Sequence, residues 1–145
     1  MNKGQKQLDA WSGTFGKKYV ERNNITPEVI EKRRYAFSHI FEHIEDSNAP
    51  RSILEAGCNI GINIHALSQM TDAALHVVEP NKTALKILLE SGVVPASRAH
   101  QGSLQALPLK DSEIDLVFTS GVLIHVPDDV LEIALSEIHR VSRKY

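Results

Sequence analysis

Ser52-Ile53-Leu54-Glu55-Ala56-Gly57-Cys58-Asn59-Ile60-Gly61 decides how this chain folds. A short apolar run breaks at Gly57, and from Ile62 to Met70 the apolar positions recur at helical spacing. Strand, glycine turn and helix follow one another without a linker, as at the opening of a βα unit. Gly57 permits a sharp turn and a close approach of ligand to backbone. Gly61 is expected to let the helix start lie close to the strand, where free N–H groups favour a polar or anionic ligand. The spacing is G-x-x-x-G, not the dinucleotide fingerprint G-x-G-x-x-G. Glu55 stands two residues before the first glycine. Its charge opposes a pyrophosphate and suits a ligand with an ammonium group and hydroxyls, such as S-adenosylmethionine; the alternative is that it only caps the neighbouring helix.

Downstream the same alternation continues. Leu75 to Glu79 reads as a second strand, and Glu79 lies eighteen residues after Gly61. An acid at about that distance accepts hydrogen bonds from ribose hydroxyls. Pro80 and Asn81 open a helix that carries Leu85, Leu88 and Leu89 and ends at Gly92. A weaker strand covers Ala96 to His100. After it come Gly102, Ser103 and Leu104, which suit an adenine edge and face, although Gly-Ser is also an ordinary turn pair. Ile114 to Thr119 is the strongest strand signal. Ligands in open α/β sheets sit at the carboxyl ends of strands, so Thr119, Ser120 and Gly121 are expected in the cleft. His125 follows, either as a general base or as a residue that holds the loop. Pro127-Asp128-Asp129 starts a last helix with Leu131, Ala134, Leu135, Ile138 and Val141 on one face. The expected fold is α/β, a Rossmann-like parallel sheet of four strands in the order 3-2-1-4 with helices on both faces.

Upstream, residues 1–24 read as an irregular arm with one short helix. Thr26-Pro27-Glu28 then begins an amphipathic helix running to about Ser47. The chain has 145 residues, which fits one domain, and 42% hydrophobic residues, enough for a core. The net charge of −2 offers no general attraction to nucleic acid or an anionic membrane. Lys32-Arg33-Arg34, flanked by Glu28 and Glu31, reads as a solvated helix face. Cys58 is the single cysteine, so no intrachain disulfide forms; inside the glycine turn it reads as a small packing residue. The N-terminus lacks the apolar region of a secretory signal, and no stretch is long and apolar enough to cross a membrane. A cytoplasmic location is expected. The histidines show no metal-ligand pattern, and no serine stands on a nucleophile elbow.

Taken together, the E-x-G-x-x-x-G turn, the Val77-Val78-Glu79 strand end and the block from Asp115 to His125 resemble the class I S-adenosylmethionine-dependent methyltransferases over about Arg51 to Ser142. Trp11, Gly13, Phe15, Gly16, Tyr19, Arg22 and Asn23, with Gly121-Val-Leu-Ile-His125, are most similar to the methylases associated with pseudaminic acid biosynthesis. The resemblance implies S-adenosylmethionine as cofactor, S-adenosylhomocysteine as product and an oxygen or nitrogen of a small molecule, in a sugar or nucleotide-sugar context, as acceptor. It implies a cofactor lid over residues 1–50 and a cofactor-binding core over 51–145. Within these, Glu55, Gly57, Cys58, Asn59, Gly61, Glu79, Pro80, Asn81, Gly102, Ser103, Leu104, Ser120 and Gly121 would hold the cofactor. Tyr19 and Arg22 would meet its carboxylate, and His125 would be the catalytic residue. Asn59 stands where the family often has a middle glycine, and asparagine tolerates a left-handed backbone. The superfamily usually has seven strands, and the sequence stops about where a fifth would begin. A fragment or a natural minimal form is therefore expected. An apolar fourth strand at the edge would favour a homo-oligomer. A cofactor-binding module without catalysis is the alternative function; a nicotinamide oxidoreductase fits neither the glycine spacing nor Glu55. Motifs of the DNA methyltransferases are absent, so nucleic acid is not an expected partner.

Overall fold

The computed structural model describes residues 3–145. At its centre is β1 (Ser52–Ala56), and both faces of this strand are apolar for a reason the alternation of side chains makes plain. Ile53 points into one cluster, with Ile64, Leu67, Val77, Leu85 and Leu88. Leu54 and Ala56 point into the opposite one, with Val78, Ile114, Ala134 and Val141. β1 pairs in parallel with β2 (Ala74–Glu79) on one side and β4 (Leu116–Phe118) on the other, and β2 pairs in parallel with β3 (Ala99–Gln101). The sheet order is β3-β2-β1-β4, the 3-2-1-4 order expected. α4 (Ile62–Leu67) and α5 (Lys82–Glu90) cover the first face, and Phe37 and Phe41 of α3 (Pro27–Phe41) pack onto the same cluster. α6 (Asp128–Val141) covers the second face. Among the described residues no helix is long and apolar enough to cross a membrane.

Several features differ from expectation, among them the third strand, which starts at Ala99 because Ala96–Arg98 forms a 3-10 turn. The N-terminal arm is not irregular: it forms α1 (Lys3–Ser12) and α2 (Thr14–Val20). Its glycines look like helix breakers, yet two of them are contact points. A Cβ at Gly4 would stand 2.6 Å from Val130 Cγ1, and one at Gly16 would stand 1.8 Å from the Trp11 carbonyl oxygen. Glycine there lets the helices lie directly on what they cover. α3 starts as expected, with the Thr26 hydroxyl accepting from Val29 N–H at 3.3 Å, but stops at Phe41. The end is tightened by His43 N–H to the Ile40 carbonyl, and Asp46–Asn48 forms a separate 3-10 turn.

The fourth strand is shorter than its apolar run. Asp115 leaves the ladder because its N–H donates to Ser52 Oγ at 2.9 Å and its carboxylate accepts from Arg51 N–H at 2.8 Å. On the outer side of this segment, residues 142–145 run alongside it. Arg143 N–H donates to the Ile114 carbonyl at 2.7 Å, Val117 N–H donates to the Tyr145 carbonyl at 2.9 Å, and Ile114 and Ser142 form a parallel bridge. The edge foreseen as open is thus partly filled by the chain's own residues.

Gly61 takes a left-handed conformation at φ 82°, as the turn requires. The close approach it permits is to α5, not to β1: a Cβ would lie 1.9 Å from Leu88 Cδ1. Gly61→Ala therefore combines backbone strain with overpacking and is expected to destabilise the fold by about 2–4 kcal/mol in urea unfolding. Gly92, at φ 74° with open space around it, is the internal control. Gly92→Ala carries the strain alone and should cost about 1 kcal/mol. Equal costs at the two positions would show that the contact with Leu88 does not matter.

Candidate functional site

The carboxyl ends of all four strands, with the loops that follow them, and the two N-terminal helices enclose a cavity of about 170 Å³. Its floor is the turn after β1. Gly57, at φ 83°, donates its N–H to the Val78 carbonyl at 2.8 Å. Asn59 follows in the left-handed region at φ 51°, and its side-chain oxygen accepts from Ile60 N–H at 2.7 Å. The Asn59 N–H is then free to point across to Glu79, donating to Oε2 at 2.7 Å. Glu79 Oε1 accepts from Asn81 N–H at 2.9 Å. One carboxylate thereby clamps the loops that follow β1 and β2. Burial raises the Glu79 pKa above the ordinary carboxylate range, against the opposing pull of the N–H groups of Asn81 and Asn59.

Glu55 is more unusual. Its side chain is 2% exposed, in the core yet lining the cavity. Oε1 accepts from Asn63 Nδ2 at 2.6 Å, and Oε2 has no hydrogen-bond partner. Burial pushes its pKa up to about 8; the Asn63 bond opposes this, the Glu79 charge adds to it, and Arg33 opposes it. The free protein thus holds a neutral acid with one unsatisfied oxygen at its site, a costly arrangement unless a ligand completes it. The same environment, with burial foremost, raises the Cys58 thiol well above its ordinary value. Cys58 stays protonated and is a packing residue, not a nucleophile.

Of the residues singled out in the sequence, Tyr19, Glu55, Gly57, Cys58, Asn59, Glu79, Pro80, Ser103, Leu104, Ser120, Gly121 and His125 line this one cavity. Four do not. Gly61 supports the turn from below, and Gly102 packs under Pro108 and Val78. Asn81 is buried behind Glu79 and caps α5 by accepting from Thr83 N–H and Ala84 N–H. Arg22 is exposed and does not line the cavity. The arginine that does is Arg33, nearly two turns into α3; it is exposed, in keeping with the solvated face expected for it, and borders the cavity as well. Trp11 and Asn23, quoted in the arm motif without a site role, also line it, and Gln7 and Leu8 of α1 and Asn63 of α4 line it without having been singled out. Asn63 did leave a trace: it is a polar residue among Ile62, Ile64, Ala66 and Leu67, on the inward face of a helix. Gln7 and Leu8 left none of their own, although the resemblance implied a lid over this region.

His125 closes a short 3-10 turn, Leu123–His125, after β4. Its ring lies 5.0 Å from that of Trp11, which meets Phe15 and Tyr19 edge-on at 5.1 Å each. The cavity is therefore acidic at the β1 and β2 ends, carries one cation at Arg33, and is roofed by aromatic rings. Such a site suits a zwitterionic ligand with hydroxyls and an apolar ring.

A family model described as a methyltransferase domain matches residues 53–144. No curated protein matches the chain. Among solved structures, the chain is similar to a protein of Methanococcus maripaludis named as a candidate S-adenosyl-L-methionine-dependent methyltransferase, at 19% identity and TM-score 0.70, covering 99% of this chain and 63% of that one. It is similar to magnesium protoporphyrin IX methyltransferase from Synechocystis PCC 6803, solved with its bound methyl donor, at 14% identity and TM-score 0.70, covering 98% and 73%. It is also similar to phosphoethanolamine N-methyltransferase 1 of Haemonchus contortus, in complex with phosphoethanolamine and S-adenosylhomocysteine, at 17% identity and TM-score 0.72, covering 99% and 31%. At these identities the likeness is one of fold. The chain spans less than two thirds of the first of these proteins.

The burial of Glu55 has a measurable sign. Its carboxyl titrates near 4.5 when unfolded and near 8 when folded. Between those values the folded state holds the extra proton, so stability should fall as pH rises from about 4.5 to about 8. Thermal melts of Glu55→Gln should show a flatter profile across that window. A variant profile parallel to that of the wild type would mean that Glu55 is ionised in the folded protein.

Proposed function

This chain belongs to the methyltransferase domain family, and we propose that it binds S-adenosylmethionine and passes the methyl group to an oxygen or nitrogen of a small acceptor, releasing S-adenosylhomocysteine. The observation that carries this reading is the pair of buried carboxyls, Glu55 and Glu79, at the two strand ends beside the glycine turn. Glu55 has an unpartnered oxygen of the kind an ammonium group satisfies. Glu79 uses one lone pair of each oxygen on a backbone N–H and retains capacity for ribose hydroxyls. Arg33 supplies the cation for a carboxylate, in the role first expected of Arg22. Ser103 and Leu104 offer a polar edge and an apolar face for adenine.

The donor, when bound, supplies an electrophilic methyl group on a sulfonium. The residues of this chain hold, orient and exclude water. The turn Gly57–Asn59 forms the floor, with Val122 packed where a side chain at Gly57 would stand, and the Trp11 cluster closes the mouth. His125, on the loop after β4, is the group that accepts a proton from the acceptor as the new bond forms. A sugar or nucleotide sugar is the acceptor class we favour, on the likeness of the Trp11–Asn23 and Gly121–His125 stretches described above.

Isothermal titration tests the cofactor. S-adenosylmethionine and S-adenosylhomocysteine should bind and NAD should not. Glu79→Ala should weaken both by about tenfold or more, the loss expected for hydrogen bonds to a charged group. Because Glu55 must ionise to pair with an ammonium group, affinity should rise as pH approaches about 8, and fall again at higher pH as the ligand's own ammonium group loses its proton. Folded protein that binds neither compound would overturn the proposal.

A further inference from the structure

Asn81 was expected to touch the ligand; it stands instead where three parts of the fold meet. It is 4% exposed. Its N–H donates to Glu79 Oε1, and its side-chain oxygen caps α5 by accepting from Thr83 N–H at 2.9 Å and Ala84 N–H at 3.0 Å. Its side-chain amide is left, and this donates to the Trp11 carbonyl at 2.8 Å. Trp11 lies in the last turn of α1, where helix carbonyls lack intrahelical partners. The two groups are 70 residues apart in the chain and each satisfies what the other lacks.

The surroundings favour this bond. α2 lies directly over it, because Gly16 brings no side chain: a Cβ there would stand 1.8 Å from the Trp11 oxygen and 2.6 Å from Asn81 Nδ2. Val20 of α2 packs with Ile60 and Ala84 beside it. The bond is part-buried, with Asn81 almost wholly withdrawn from solvent, and a lower local dielectric strengthens it and makes its loss costly. At the far end of α1 the corresponding bond, Gln105 Nε2 to the Gly4 carbonyl, is longer at 3.3 Å. Trp11, fixed through its backbone, sets its ring against Tyr19 and His125. A continuous path thus runs from Glu79 through Asn81 and Trp11 to His125.

We propose that Asn81 is a positioning residue, a latch that holds the α1–α2 arm closed over the cavity and ties that closure to the Glu79 carboxylate. The proposal rests on the reading above only in taking the cavity for the cofactor site, and its test needs no ligand. Asn81→Asp retains the cap of α5 but sets a carboxylate oxygen against the Trp11 carbonyl. Asn81→Ser also caps a helix, carries no charge and is too short to reach Trp11. Two signals report the arm: emission from Trp11, the single tryptophan, and tryptic cleavage after Lys17 and Lys18 of α2. In both variants cleavage should accelerate about tenfold, the worth of one such bond, and the emission should shift to the red. The melting temperature of the core should move by no more than a few degrees. Wild-type cleavage and emission in both variants would overturn the latch. So would release in the aspartate variant alone, which would trace the effect to charge. Release in both variants with no S-adenosylmethionine binding by the wild type would keep the latch and overturn the functional reading instead.

Discussion

The Glu79 carboxylate is the constraint on which the site depends. A single side chain accepts from the N–H groups of Asn59 and Asn81, and so fixes the loops after β1 and β2 relative to each other. This is possible only because Asn59 sits in the left-handed region, which turns its N–H across the gap. Remove the carboxylate and two buried N–H groups lose their partners, a cost borne by both loops at once. The clamp places the backbone of the glycine turn and the cap of α5 on either side of one cavity.

Electrostatics then give that cavity its character. Glu55 and Glu79 share one apolar enclosure, and neither is free to ionise at its ordinary pKa. The protein bears this cost in the absence of ligand, with Asn63 and Arg33 as its only local relief for Glu55. A ligand that brings its own positive charge recovers the energy, whereas a neutral or anionic one does not. The resting state of the site is thus an acidic one, which underlies the proposed preference for a cationic amino-acid head.

The roof has a different logic from the floor. The floor is made of strand ends whose spacing the sheet sets, and it is rigid. The roof is a pair of short helices held by apolar packing at Val20, by aromatic edges around Trp11, and by side-chain amides reaching helix carbonyls. Helices of this length do not persist alone in water. Their order comes from the surface they cover, so the arm and the cavity are coupled without any change within the sheet.

Much of the floor was legible in the sequence. A strand followed by G-x-x-x-G and a helix, an acid eighteen residues on, and polar residues after the later strands are local patterns, and local patterns survive in one dimension. The sheet order followed too, from the alternation of strands with helices and the handedness of their connections. What was not legible depends on contacts between distant segments. Gly4 and Gly16 read as breakers because the atoms that forbid a side chain there belong mostly to other segments. Arg33 read as a surface charge and is indeed exposed; that it also borders the cavity, within electrostatic reach of Glu55 22 positions away, is a matter of the fold. Asp115 shortened the last strand through bonds to Arg51 and Ser52, and Asn81 exchanged a ligand contact for one with Trp11. The sequence by itself determined the βα architecture and the residues at the strand ends, because periodicity and turn chemistry act between neighbours. Only the tertiary structure decided which cation faces the acids, what roofs the cavity and how the roof is held, because those choices are made by burial, and burial is a property of the packed whole.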